Sequence, residues 1–469
     1  MRRWIIGALL ASALFFLIGR SVIADRGKDY LGEILEACNN ARAEDLRLEL
    51  ASYRKGWSGA EAQVRIHTGN AGIKDPLLLG FGVEYGPVFF GALRPGLIRL
   101  ESEGSVSRWL NADASGNFLK SVPGDISYRY EGVLDWWHVL HEKIALSRIE
   151  AYNPKRRERW ILEPLRIRSD YEVKTLRGRA EFVSSGALLT DEKSGERLEV
   201  KRPRLGVVIR EFNAAGPVFG SFAFSAAEVT ALLKGAHPRM LRFDGGMKLS
   251  LNRENTRLAT LAVAADAHAL NAETRNAWRG LGSARLDIRL ESLGIRGIEK
   301  FMAMEKQRRK IRRELARAVG IKDDVAMQKA ILALQALDNR WIGAFNHLFI
   351  PGKTRLVWDE TLQGDRESRL HLDLTFTGEK LPDDPFSAMV ALTTGLDRMA
   401  EGTFDLKLEK KLLKNLLPQG AMILDSMVRK GLATLKEGIY HLKGSINAGK
   451  IVIGGTRYAP RELIMMILI

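Results

Sequence analysis

Arg285-Leu286-Asp287-Ile288-Arg289-Leu290 alternates charged and apolar residues without a break. Successive side chains of a strand point to opposite faces, so this stretch reads as a strand with one wet and one apolar face. The same period of two returns in Asp45-Leu46-Arg47-Leu48-Glu49-Leu50, Gln63-Val64-Arg65-Ile66, Arg369-Leu370-His371-Leu372-Asp373-Leu374 and Thr403-Phe404-Asp405-Leu406-Lys407-Leu408. Strands buried on both faces of a parallel sheet would read as continuous apolar runs instead. Gly and Ser cluster between the runs, as turns require. The expected class is mainly β with α insertions (α+β), built from extended antiparallel sheets.

Three helical segments interrupt the strands. Residues 298–315 are highly charged, with six basic residues in the eight positions 306–313. Asp323 is a suitable cap for a second helix, whose stripe runs Met327, Ile331, Leu334, Trp341, Phe345 and Leu348 and stops at Pro351-Gly352. Asp338 lies on that stripe. A third helix after Pro418 carries Leu424, Met427, Val428, Gly431, Leu432 and Leu435 on one face. All these stripes are expected to pack in the core.

Arg2 and Arg3 precede an uncharged apolar run over residues 4–19, which Arg20 interrupts and residues 21–24 extend. A single N-terminal transmembrane helix is expected there, with both arginines on the cytoplasmic side. An uncleaved anchor fits better than a signal peptide, because Arg20 sits late and no small-x-small pair follows the apolar core. Leu31, Ile34, Leu35 and Cys38 then share one face of a short helix, which Asn39-Asn40 should end. The organisation expected is 1–24 transmembrane anchor, 25–297 β-rich periplasmic region, 298–352 helical insertion, and 353–469 a C-terminal β/α region closing the sheet.

Of 469 residues, 46% are apolar and 27% charged, which excludes a disordered or collagen-like chain. The single cysteine excludes a disulfide framework and any multi-cysteine metal site. Cys38 should pack as a small hydrophobe. Lys+Arg exceed Asp+Glu by 72 to 56, a formal charge of +16. Nucleic acid is disfavoured as partner, because the basic residues lie outside the cytoplasm without interleaved aromatics. Anionic lipid headgroups or acidic glycans are closer at hand.

Candidate chemistry is sparse. Trp136-Trp137-His138-Val139-Leu140-His141-Glu142 places two histidines at i, i+3, one face of a helix and a metal candidate. The zinc-protease order His-Glu-x-x-His is absent and no acidic cluster is near in sequence, so a surface or capping role is expected. Gly56-Trp57-Ser58-Gly59-Ala60 loosely matches a nucleophile elbow, but a strand follows where a helix is needed, so it reads as a turn. Gly280-Leu281-Gly282 lacks the third glycine of a dinucleotide fingerprint. Gly86-Pro87-Val88-Phe89 recurs as Gly216-Pro217-Val218-Phe219, both suited to opening strands. Residues 463–469 are an unbroken apolar run, too short to span a bilayer and expected to dock on the body. No catalytic, cofactor-binding or metal residue is assigned, and no cofactor is expected.

The N-terminal anchor, the turn Tyr53-Arg54-Lys55-Gly56-Trp57-Ser58 and Gly86-Pro87 at a strand start resemble the YdgA-like family of bacterial envelope proteins. The C-terminal hairpin is similar too: Gly438-Ile439-Tyr440, then Asn447-Ala448-Gly449-Lys450-Ile451-Val452-Ile453-Gly454-Gly455. Where the family shows His before Gly-Pro this chain has Tyr85, and Gly454 replaces the Asn after the last strand. The family is a domain of unknown function, so the resemblance implies location and fold and carries no catalytic residue. The expected protein is a bacterial inner-membrane protein, single-pass, with its bulk in the periplasm. It would serve non-enzymatically as envelope scaffold or binding module, with an anionic lipid, another amphiphile or an envelope protein as partner. The rival is a periplasmic hydrolase of envelope polymers. One-sided strands leave two packings open: a closed sandwich, or a curled sheet with a groove.

Overall fold

The computed structural model describes residues 2–41, 46–56, 59–68, 76–89, 94–105, 125–153, 157–213, 216–233, 239–273, 282–321, 323–378, 380–384, 386–388, 390–391, 399–416 and 418–459, with the side chains of residues 2–16, 41, 46, 68, 94, 239–241, 269–273, 415, 416 and 418 outside that description. The chain is mainly β, with antiparallel pairing throughout the described ladders and a few helices. It divides into two compact units: residues 1–214 with 222–240, and residues 215–221 with 241–469.

The first unit starts with helix α1 (Arg2–Ala41), 40 residues in one piece and therefore about 60 Å long at 1.5 Å per residue. It ends at Ala41, one residue past the expected stop at Asn39-Asn40. The Asn39 amide donates to the Leu48 carbonyl (2.9 Å) and accepts from the Leu48 N–H (2.7 Å), pairing with a strand as a neighbouring strand would. The expected stripe holds, with Leu31, Ile34 and Leu35 buried and Cys38 half-buried. The expected anchor boundary does not, since Ile23 and Ala24 lie in the protein core and Gly19 already faces Pro87. Among the described residues, whose side chains on α1 begin at Leu17, no helix is long and apolar enough to cross a membrane.

The strands of this unit are β1 (Leu46–Lys55), β2 (Gly59–Thr68), β3 (Leu77–Tyr85), the short pair β4 (Val88–Phe89) and β5 (Arg94–Pro95), β6 (Ile98–Ser105), β7 (Ser127–Leu134), β8 (Val139–Leu146), β9 (Ile149–Asn153), β10 (Glu158–Leu162), β11 (Leu165–Glu172), β12 (Gly178–Ser184), β13 (Gly186–Asp191), β14 (Glu196–Lys201), β15 (Arg204–Glu211) and most of β16 (Phe219–Leu233). One ladder runs β1-β2-β3-β6-β7-β8-β11-β12-β15. A second runs β9-β10-β13-β14-β16. β8 and β9 are parted only by Ser147-Arg148, β10 and β11 by Glu163-Pro164, β12 and β13 by Ser185, β14 and β15 by Arg202-Pro203. These are long strands bent at a shared corner, where Pro164 and Pro203 sit outside the ladders and so remove no ladder bond.

The register of the nine-stranded ladder carries one apolar face across its width. Leu48 pairs Ile66, Val64 pairs Leu79, Val83 pairs Leu100, and Ile98, Leu134, Leu140 and Tyr171 follow one another across four strands. Leu165–Ser184, Ile167–Phe182 and Ala180–Val207 continue it. α1 lies on this face, forming one core with Val64, Val83, Tyr85, Ile98, Leu100 and Leu140.

The second unit contains β17 (Arg239–Arg253, from residue 241), β18 (Leu258–Glu273), β19 (Ser283–Gly294), the helices α2 (Ile295–Ile321), α3 (Asp324–Asp338) and α4 (Trp341–Leu348), β20 (Arg355–Gln363), β21 (Glu367–Phe376), β22 (Ala400–Glu409), α5 (Lys410–Leu416), α6 (Pro418–Arg429), β23 (Thr434–Lys436), β24 (Ile439–Asn447), β25 (Lys450–Ile453) and β26 (Thr456–Tyr458). Its ladder runs β18-β19-β20-β21-β22-β24-β25-β26. Val263, Ile288, Trp358, Leu372 and Phe404 form one cross-strand row of its apolar face. Leu424 and Met427 of the third expected stripe cover Tyr440 and Ile453 from α6, but α6 ends at Arg429, so Leu432 joins that core from the loop after it and Leu435 lies in β23, 38% exposed.

The second expected stripe is corrected. A break at Asn339-Arg340 separates α3 from α4, and the buried positions of α3 are Ala330 and Leu337, while Ile331 is 47% exposed. Asp323 caps α3 as expected, accepting from the Ala326 N–H at 3.0 Å. Asp338 points out of the core and meets Arg308 at 2.5 Å, so part of the basic run on α2 is ion-paired. The two Gly-Pro-Val-Phe copies fall one in each unit, with Phe89 and Phe219 both buried. The apolar run at 463–469 lies outside the described residues.

Gly27 is where α1 meets the sheet most closely: a Cβ there would stand 2.6 Å from both Tyr53 Oη and Tyr85 Cε1. The two hydroxyls are hydrogen-bonded at 2.9 Å. Gly27→Ala should therefore cost about 1–3 kcal/mol, the usual range for overpacking. Denaturant melts of the full chain check this, and Gly32→Ala, which has open space, is the control.

Candidate functional site

Nine flat strands would put β1 and β15 about 38 Å apart at 4.8 Å per neighbour. Yet Leu48 of β1 and Val207 of β15 line the same cavity of ≈ 560 Å³. The sheet therefore curls around α1. The helix fills one side of the trough with Leu31, Ile34, Leu35 and Cys38, and the remainder is an apolar groove. Leu79, Phe81, Ile144, Ile167, Phe182 and Ile209 are among the apolar residues of its strand wall.

Glu142 is the one acidic residue of that lining among the described residues. In register it stands opposite Gly132 on β7 and Ser169 on β11. Tyr130 donates to Oε1 at 3.0 Å and Ser169 to Oε2 at 2.6 Å. Gly132 makes the first contact possible, because a Cβ there would collide with the Tyr130 hydroxyl. Tyr171 sits beside the group, 3.6 Å from Cys38 Sγ. Burial first, then the nearby Glu142 charge, pushes the Tyr130 and Tyr171 hydroxyls well above the ordinary tyrosine range. Both remain protonated at any physiological pH. The floor of the groove is thus a carboxylate among hydroxyls and a thiol, framed by hydrocarbon.

The outward face of the same strands is a lattice of ion pairs. His141 lies between two aspartates, with Nδ1 2.6 Å from Asp170 and Nε2 3.1 Å from Asp135. Arg179 meets Asp170 at 3.1 Å. Burial alone would raise the Asp170 pKa, but hydrogen bonds from His141 and Arg179 outweigh it and hold the carboxyl below its ordinary range. The second unit repeats the pattern, with His371 2.8 Å and Arg369 3.3 Å from Asp359.

The two histidines of the metal candidate are not brought together. Trp136-Trp137-His138 is a turn, and His141 is on β8, so the helical spacing does not apply. Asp135 builds the turn by accepting from the Trp137 and Val139 N–H groups, both at 2.9 Å. His138, at φ 59°, packs edge-on to Tyr30 of α1 and lies 3.3 Å from Glu33. His138 is partly buried beneath α1, facing Glu33, whereas His141 lies on the outward face between two aspartates. No group of metal-ligating residues occurs among the described residues. Gly56 donates to the Gly59 carbonyl at 2.7 Å in the turn between β1 and β2, while Trp57 and Ser58 lie outside the described residues, as do Gly280 and Leu281. Cys38 packs against the core as expected and also borders the groove.

Glu142 went unnoticed in the sequence, although Leu140, Glu142, Ile144 and Leu146 are one face of a period-two run. A carboxylate at an apolar position was the signal. In comparison with known proteins, no family model, no curated protein and no solved structure matches this chain.

With both ring nitrogens of His141 facing aspartates, replacing His138 and His141 by Ala should leave the metal content of the purified protein unchanged. Elemental analysis of both proteins checks this. Stoichiometric zinc that disappears in the double variant would establish a metal site.

Proposed function

We propose that this protein is a non-enzymatic binding module of the bacterial envelope whose groove holds the hydrocarbon part of an amphiphile. The observation that carries the reading is the ≈ 560 Å³ groove, lined chiefly by aliphatic and aromatic side chains on a curled sheet. A space of that size falls in the range of small-molecule sites. Apolar surface facing it gains about 25 cal/mol per Å² when an acyl chain replaces water.

The location belongs to the same proposal: bacterial inner membrane, single-pass, bulk in the periplasm, in the manner of the YdgA-like proteins it resembles. The part of α1 ahead of Gly19 enters the bilayer; the 15 uncharged residues 4–18 rise about 22 Å, short of the roughly 30 Å hydrocarbon core. Gly19 lies against Pro87, at the end of the sheet where Tyr85, Ile98, Leu134 and Leu140 align. The turn at that same end exposes Trp136 by 43% and Trp137 by 76%. Tryptophan favours the membrane–water interface, which supports placing this rim against the bilayer. A formal charge of +16 suits anionic headgroups at that surface. An envelope protein is the other class of partner for a scaffold role.

The hydrolase reading would need an acid–base pair or nucleophile converging in a cleft. His141 and its aspartates stand on the outward face, opposite the face that lines the groove.

Native mass spectrometry of the detergent-purified protein, with extraction of bound lipid, tests the proposal. A bound amphiphile should co-purify, and its removal should speed alkylation of Cys38, the chain's single thiol, by N-ethylmaleimide at least severalfold. A ligand-free protein whose Cys38 reacts at one rate whatever lipid is added would overturn it.

A further inference from the structure

We propose that the Glu142 cluster selects the polar group of the bound amphiphile, accepting one that donates hydrogen bonds, a hydroxyl or an ammonium, and rejecting a carboxylate or phosphate. This rests on the reading of the groove as a hydrocarbon site and names what that site discriminates.

A carboxylate is acceptor-only, while serine and tyrosine hydroxyls turn to suit a partner. Tyr130 and Ser169 both donate to Glu142, at 3.0 and 2.6 Å. They hold its two oxygens in the groove wall, with Gly132 opposite contributing no side chain. A ligand group reaching this point meets an acceptor carboxylate in apolar surroundings, where charge–charge terms are far less screened than in water. An anion there is repelled and loses its hydration. A donor is received by an acceptor that is already oriented. Arg179 also lines the groove, but its guanidinium is paired with Asp170 of the outward face at 3.1 Å. The second unit is built alike: its apolar face carries a carboxylate, Glu360, in register between Leu286 and Leu370.

The net charge makes the inference sharp. A chain of +16 attracts anions at long range, so overall charge alone orders ligands with the carboxylate first. The groove predicts the reverse.

The experiment uses the full chain in mild detergent with three amphiphiles of equal chain length: dodecanol, dodecylamine and dodecanoate. Each competes with the neutral apolar probe N-phenyl-1-naphthylamine at about pH 8, where the amine is protonated and the acid ionised. Dodecanol and dodecylamine should compete at least about tenfold better than dodecanoate, a discrimination of the size that polar recognition supplies. Glu142→Gln should bring the three within about threefold of one another. Glu131→Gln removes the same charge on the outward face, where Glu131 meets Arg99 and Lys143, and should keep the order, which separates the groove carboxylate from overall charge. Equal competition by all three on the wild type, or an order that survives Glu142→Gln, overturns the assignment while leaving the groove a hydrocarbon site. Failure of the probe and of all three ligands to bind overturns the groove itself, and the assignment with it.

Discussion

A sheet with one apolar face has to put something against it. In the first unit that something is α1, and the fit between helix and sheet decides the rest. Gly27 lets the helix approach Tyr53 and Tyr85, and Asn39 pairs with the Leu48 backbone near the opposite end. The sheet is wider than one helix can cover, so it curls, and the uncovered remainder becomes the groove. Had a second sheet served as cover, the inner faces would have met about 10 Å apart and left no such space.

The strict alternation of side chains then gives the two faces different work. Outward positions carry cross-strand ion pairs such as Asp170 with His141 and Arg179, which sit in partial solvent and fix register more than they add stability. Inward positions carry hydrocarbon, interrupted in the first unit by Glu142, which accepts from Tyr130 and Ser169. Burying a carboxylate costs several kcal/mol unless hydrogen bonds compensate, so the arrangement of Tyr130, Ser169 and Gly132 around Glu142 makes that position tolerable. The second unit, with Glu360 inward and Asp359–His371 outward, follows the same division.

Much of this was legible in the sequence. The alternation at residues 45–50, 285–290, 369–374 and 403–408 gave antiparallel one-sided strands, and all four are in strands where described. The stripe Leu31, Ile34, Leu35 and Cys38 gave the face of α1 that meets the sheet. Curvature was not legible, because period two reports which face is apolar and not how the sheet bends; the corner needed Pro164 and Pro203 read together with strand pairing. The i, i+3 spacing of His138 and His141 misled, since Asp135 captures the Trp137 and Val139 N–H groups and makes a turn there. The break at Asn339-Arg340 was hidden by a stripe that continued in appearance through two helices.

The central claim is that the inward face, and not the outward one, contacts hydrocarbon. Site-specific photocrosslinking in cells tests it most directly, with a benzophenone amino acid placed in turn at Ile144, Ile167 and Val207, which line the groove, and at their outward neighbours Lys143, Arg168 and Val208. The account predicts lipid adducts from the first three and none above background from the second three. Equal adducts from both sets, or adducts from the outward set alone, would contradict it.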